Sequence, residues 1–282
     1  MPERIALMTD SACDLPPEIL QSHSVFVLPL KIIYGDQEYR DKVDIQPEEV
    51  YDRMPELIPT TSMPSPGEIQ NIFDEIKSHG YTKILAMHIS SGLSGTFNAV
   101  KMIAQEITDM QIEVFDCRTL SVGQGFQIYE AAKDIARGLD LSKILENIEK
   151  RRAKVQVFYV IETLEYLKRG GRIGKVAAVL GELLQLKPII SVDDEGKYFT
   201  YCKTRGRKQS IDKLAEIIEK AVNTNQVDIA VMHGGALEEA KKLKERLQHL
   251  PNVKEMLFGQ ISPALGVHTG PGLIGVSYVE AL

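Results

Sequence analysis

Lys83-Ile84-Leu85-Ala86-Met87-His88-Ile89-Ser90-Ser91-Gly92-Leu93-Ser94-Gly95-Thr96 packs a strand, a tight turn and the start of a helix into one run. Lys83 to Ile89 is a short, mostly apolar segment, which predicts a central buried strand. Beyond the turn, Phe97, Val100, Ile103, Ala104 and Ile107 recur at helical spacing and predict a helix over 97–107. The hydroxyls and glycines between them permit close backbone geometry and expose the first N–H groups of that helix. Those groups are unpaired and the dipole is positive there, so the turn suits an anion.

Outward from this run, strand and helix patterns alternate, as in a largely parallel sheet. Upstream lie a strand over 4–8, a short helix over 17–22 and a strand over 25–33, interrupted by Pro29. A helix follows from Pro47 to Met54, then the polar loop Pro59-Thr60-Thr61-Ser62-Met63-Pro64-Ser65-Pro66-Gly67. Ser65, Pro66 and Glu68 form a capping-box pattern, with Ile69, Ile72, Phe73 and Ile76 as the buried face of the next helix. Downstream are a strand over 111–116 and two helices ending near 137 and 152. A second series begins at Val155, and Ile173 to Leu184 is apolar around most of its circumference, as expected of a helix between two apolar surfaces. A hairpin spans 188–203, two helix–strand pairs follow, and a strand over 273–279 closes the chain. The expected boundary lies near residue 155, giving domains of 1–155 and 156–282.

The chain has 282 residues, 44% hydrophobic and 26% charged, enough for two modest α/β domains. A net charge of −6 argues against nucleic-acid binding driven by overall charge. Cys13, Cys117 and Cys202 have no metal-ligand or disulfide spacing, so a reducing, cytoplasmic setting is expected and no metal site. No signal-peptide pattern and no run of bilayer-spanning length is present, so stable membrane insertion is not expected.

Candidate chemistry is local. Ser94 within Gly92-Leu93-Ser94-Gly95-Thr96 resembles a nucleophile elbow, but Thr96 stands where Gly-x-Ser-x-Gly needs its last glycine. A serine hydrolase using Ser94 and His268, with an unassigned acid such as Asp116, is therefore one reading; a helix cap at Ser94 is another. His268 lies in Gly266-Val267-His268-Thr269-Gly270-Pro271-Gly272, read as a glycine-rich loop facing a cleft. His88 and His233 fall within strand patterns and read as satisfied core groups. Lys168-Arg169-Gly170-Gly171-Arg172-Ile173-Gly174-Lys175 fails as a phosphate loop in spacing, in Val176 and in its preceding helix. It and Lys203 to Lys208 remain basic clusters in an acidic chain, suited to a solvated face, a phosphorylated group or an acidic partner. Gly123-Gln124-Gly125 lacks the third glycine of a dinucleotide site.

Taken together, Thr9-Asp10-Ser11, Thr61-Ser62-Met63-Pro64-Ser65-Pro66-Gly67, Ser90 to Thr96, Leu167 to Ile173, Lys187-Pro188 and His268-Thr269-Gly270-Pro271-Gly272 resemble the DegV family of bacterial fatty-acid-binding proteins across nearly the whole chain. Met63 departs from the glutamine that family often carries. The resemblance implies two α/β domains, the first a Rossmann-like sheet, with a long-chain fatty acid in a tunnel between or beneath them. It implies a carboxylate held by Thr61 and Ser94, with His268 close by and with Ser62 and Gly95 in the same motifs. The C-terminal domain would supply tunnel wall, with the 173–184 helix and Leu164 and Leu167 as candidates, and the His268 loop. The carrier would need no cofactor and would present the carboxylate to a separate fatty-acid kinase making acyl phosphate. Arg172 and Arg205 would face phosphate or kinase. The physics agrees: a buried carboxylate needs donors, and a chain of about sixteen carbons gains on the order of 10 kcal/mol from burial, before its ordering cost.

Overall fold

The computed structural model describes residues 4–54, 56–182 and 186–280. The chain opens with β1 (Ile5–Asp10), a 3₁₀ turn (Ser11–Cys13), α1 (Pro17–Ser22) and β2 (Phe26–Leu28). It continues through β3 (Lys31–Tyr34), β4 (Gln37–Arg40), α2 (Pro47–Arg53), β5 (Thr60–Ser62) and α3 (Pro66–Ser78). Next come β6 (Lys83–His88), α4 (Thr96–Ala104), β7 (Gln111–Asp116), α5 (Ser121–Ala136) and α6 (Leu141–Arg152). The remainder is β8 (Val155–Val160), α7 (Glu165–Arg169), a 3₁₀ run (Gly174–Glu182), β9 (Leu186–Val192), β10 (Tyr198–Arg205), α8 (Gly206–Thr224), β11 (Val227–Gly234), α9 (Leu237–Leu247), β12 (Val253–Gln260), α10 (Pro263–Thr269) and β13 (Leu273–Glu280).

The first sheet is parallel, in the order β2-β1-β6-β7. Alternate residues of its two central strands enter two different cores. Ala6, Met8, Ile84 and Ala86 pack with α3 and α4, whereas Leu7, Leu85 and Met87 pack with α5 and α6. Both faces are covered, which is why Lys83 to Ile89 reads as a continuous apolar run. The chain leaves β1 toward β2 and returns on the other side as β6. The β1–β6 gap is therefore a topological switch point, where open α/β sheets bind ligands beyond the carboxyl ends of their strands. Ser11 and the Ser90 turn both emerge there.

The second sheet runs β10-β9-β8-β13-β11-β12 and is mixed. Only β11 and β12 pair in parallel; β13 runs antiparallel to both β8 and β11. The helix–strand alternation of this half does not imply a parallel sheet, because the last strand inserts between earlier ones. A third, three-stranded sheet, β4-β3-β5, forms where a polar loop was expected, since Thr60, Thr61 and Ser62 pair with Ile33, Ile32 and Lys31. The expected strand over 25–33 is split at Pro29 into β2 and β3, which belong to different sheets.

Two further expectations change. The apolar helix expected over 173–184 is 3₁₀ in Gly174–Glu182, while Leu183 and Leu184 lie outside the described residues. A 3₁₀ turn buries a single row: Ile173 and Val176 face the core, and Lys175, Ala177 and Ala178 are exposed. The glycine-rich segment around His268 belongs to α10 and its C-terminal turn, not to a loop. Gly266 serves close approach there, because a Cβ would come 2.7 Å from the Tyr51 hydroxyl.

Candidate functional site

At the switch point, a cavity of about 260 Å³ is lined by Thr61, Ser62, Ser94, Gly95, Arg172 and His268. Four separate segments deliver these groups. β5 carries Thr61 and Ser62, the turn after β6 carries Ser94 and Gly95, the turn after α7 carries Arg172, and α10 carries His268. The apolar walls Leu30, Ile89, Leu93, Tyr198, Ala264 and Leu265 were not among the expected site residues. Nothing local marks them, since each reads as ordinary core.

His268 Nε2 lies 2.8 Å from Thr61 Oγ1. Its Nδ1 is buried without a partner among the described residues. Gly170 packs on the ring so closely that a Cβ would fall 2.1 Å from Nδ1. Burial, with the Arg172 charge beside it, pushes His268 down to about 4, so the imidazole is neutral at neutral pH. Arg172 donates through Nε to the Leu93 carbonyl at 3.2 Å and through Nη1 to the Gly170 carbonyl at 2.6 Å. Among the described residues no carboxylate pairs with it, so its charge is left for an anion.

Ser94 Oγ accepts from Thr96 N at 3.3 Å and shares a hydrogen bond with Thr96 Oγ1 at 2.8 Å. Gly95 caps α4 through its backbone alone; with Thr96 N taken by Ser94, the amides that follow it in the first turn are the ones suited to an anion. Ser62 Oγ donates to the Met63 carbonyl. The hydrolase arrangement does not assemble. Ser94 is bonded to Thr96, His268 to Thr61, and Asp116 takes the Ser91 hydroxyl at 2.6 Å and the Ser91 and Arg118 amides. His88 and His233 are buried as expected but not fully satisfied: His88 Nδ1 meets Asp10 Oδ2 at 3.0 Å, while among the described residues His88 Nε2 and His233 Nδ1 have no partner.

Of the two arginines expected to face phosphate or kinase, Arg172 lines the cavity and Arg205 does not. Arg205 is exposed at the far end of β10, roughly 20 Å from Tyr198 at the usual strand rise, beside a different surface cavity. Within the 168–175 cluster, Arg169 pairs with Glu165 and Lys175 with Asp193, so half of its four positive charges are neutralised locally.

Tyr198 and Leu265 also line a second, small apolar cavity of about 30 Å³. It lies among Val157, Phe158, Met232 and Leu273, so Tyr198 and Leu265 stand between the polar cavity and an apolar interior. A larger cleft of about 530 Å³ opens by Asp14, Asp41 and Lys42 but includes none of Thr61, Ser94 and His268. Size therefore does not pick out the site; converging polar groups do. Among the described residues no group of His, Cys, Asp or Glu is arranged to hold a metal, and no helix is long and apolar enough to cross a membrane.

The DegV family profile, described as uncharacterised protein, matches residues 4–281. A DegV domain-containing protein of Clostridium acetobutylicum is 43% identical over 274 residues, covering 97% of this chain and 98% of its own. Among solved structures, a fatty-acid-binding DegV family protein of Thermus thermophilus superposes with a TM-score of 0.92 at 31% identity, covering 99% of this chain and 100% of that one. A stearic-acid-binding protein of Eubacterium ventriosum superposes with a TM-score of 0.86 at 28% identity, covering 98% of both chains. With nearly its whole length matched by the profile and by full-length relatives, the chain belongs to the DegV family.

Proposed function

We propose that this protein binds a long-chain fatty acid, with the carboxylate in the Thr61–Ser94–His268 cavity and the acyl chain directed past Tyr198 and Leu265 into the second half. The observation that carries this reading is the set of donors around one cavity with an unpaired guanidinium and an apolar continuation. With Nε2 protonated, neutral His268 donates to Thr61 Oγ1 and frees the Thr61 proton for the carboxylate. Ser94, Arg172 and the α4 amides that follow Thr96 complete the neutralisation. Ser62 and Gly95 shape the rim.

In the same reading the protein is a carrier. It presents the carboxylate to a separate fatty-acid kinase, with Arg172 at the headgroup and Arg205 on the kinase-facing surface. The division of the chain is kept near residue 155; the end of α6 at Arg152 and the start of β8, a strand of the second sheet, at Val155 support it. Three free cysteines support work in a reducing compartment, the cytoplasm. The deciding experiment is native mass spectrometry of purified protein followed by solvent extraction. Co-purified fatty acid near one per chain supports the reading; a chain that is empty and refuses added fatty acid removes it.

A further inference from the structure

Beside the headgroup cavity lies a polar cluster, Ser11, Asp14, Asp41 and Lys42, that borders the larger cleft and does not line the Thr61–Ser94–His268 cavity. Ser11 Oγ donates to Asp41 Oδ2 at 2.5 Å and accepts from Leu30 N at 3.0 Å. The Asp41 amide donates to the Leu30 carbonyl at 2.8 Å, and Asp41 Oδ1 accepts from Ala264 N at 3.0 Å. Leu30 and Ala264 both line the cavity, and Ala264 lies one helical turn ahead of His268 on α10. Asp14 grips the same helix one step earlier. It accepts from Ser262 N at 2.9 Å, from Lys42 Nζ at 2.8 Å and from Ser121 Oγ at 2.6 Å.

Two features separate this cluster from ordinary packing. Asp14 and Lys42 hold left-handed backbone at φ 51° and φ 62°, a conformation that persists only when its surroundings over-determine it. Burial also makes the Asp41 charge costly, pushing its carboxyl up to about 6. Apolar side chains would join the same elements at less expense. What they would not provide is a fixed distance between two specific backbone amides.

We propose that Asp41, acting through Ser11 and the Ala264 amide, is a positioning residue of the headgroup cavity: it fixes the Leu30 wall against α10 and so sets where His268 meets Thr61. This rests on the cavity being the fatty-acid headgroup site. The test compares Asp41→Asn and Ser11→Ala with Asp134→Asn, a carboxylate equally buried between α5 and α6 on Arg151 and Asn147, away from the cavity. Affinity for palmitate is titrated, and the His268 ring nitrogens are followed by NMR in the ligand-free protein.

Asp41→Asn and Ser11→Ala are expected to weaken palmitate at least about tenfold, the equivalent of one charge-assisted hydrogen bond, and to shift the His268 signals. Asp134→Asn is expected to lose stability with palmitate affinity and His268 signals unchanged. Should Asp41→Asn not fold, Ser11→Ala decides. Wild-type affinity and unmoved His268 signals in the cluster variants overturn the inference. Wild-type protein that binds no palmitate overturns the headgroup reading itself.

Discussion

His268 sits against Thr61 on one side and Gly170 on the other, and its ring carries no charge at neutral pH. Because its folded pKa lies near 4 and an unfolded histidine titrates near 6.5, the unfolded chain binds more protons between those values. Stability therefore rises with pH across that window and falls as the solution is acidified through it, by on the order of 3 kcal/mol from this group. Asp41 works in the opposite sense, since its folded pKa is raised to about 6, so the whole-protein profile mixes the two. The difference between wild type and His268→Gln isolates the histidine. In denaturant titrations, the wild-type advantage measured at pH 7 should shrink by about that amount near pH 4; a constant difference would mean that His268 is not held neutral by burial. Gly170 gives a second test at the same ring. Its φ of −75° is open to any residue, so Gly170→Ala acts only through the 2.1 Å approach to Nδ1. We expect it to lower fatty-acid affinity at least about tenfold and, as overpacking against a buried ring, to cost about 1–3 kcal/mol of stability.

At the scale of elements, local signals and distant pairings part company. The capping box of α3 was legible in the sequence because all of its atoms lie within four consecutive residues. Ser65 Oγ accepts from Glu68 N, and Glu68 Oε2 accepts from Ser65 N at 2.8 Å and also meets Lys31 at 3.0 Å. Ser65→Ala should cost about 1 kcal/mol in chemical denaturation without moving fatty-acid affinity. The strand β5 was not legible, since Thr60–Ser62 is extended only by virtue of its ladder with β3, which lies far upstream. α10 was hidden by its own composition. Gly266 reads as a breaker, yet it is required by Tyr51 packing against the helix. Thr61, Ser94 and His268 could be singled out because hydroxyls and imidazole stand out in turn-rich contexts. Tyr198, Leu265 and Asp41 could not, because their roles come from what the fold sets beside them.

For the whole molecule, the site joins segments from Leu30 to His268, so ligand binding and folding are linked across all three sheets. A fatty acid at about a hundred times its Kd should add about 2.7 kcal/mol of stability, and Ser94→Ala should reduce that gain at the same concentration. The two arginines divide the proposed carrier function between separate surfaces. Arg172 borders the cavity, held by two carbonyls and facing no carboxylate, so removing it costs the bound anion its strongest countercharge. Arg205 lies exposed some 20 Å along β10 and cannot reach that anion. Arg172→Ala should therefore weaken fatty-acid binding and lower turnover by a purified fatty-acid kinase together. Arg205→Ala should leave affinity unchanged while slowing turnover several-fold at low salt, less so as salt screens a rim charge. Equal turnover by Arg205→Ala and wild type across that salt range would remove Arg205 from the kinase-facing surface and leave the headgroup site as it stands.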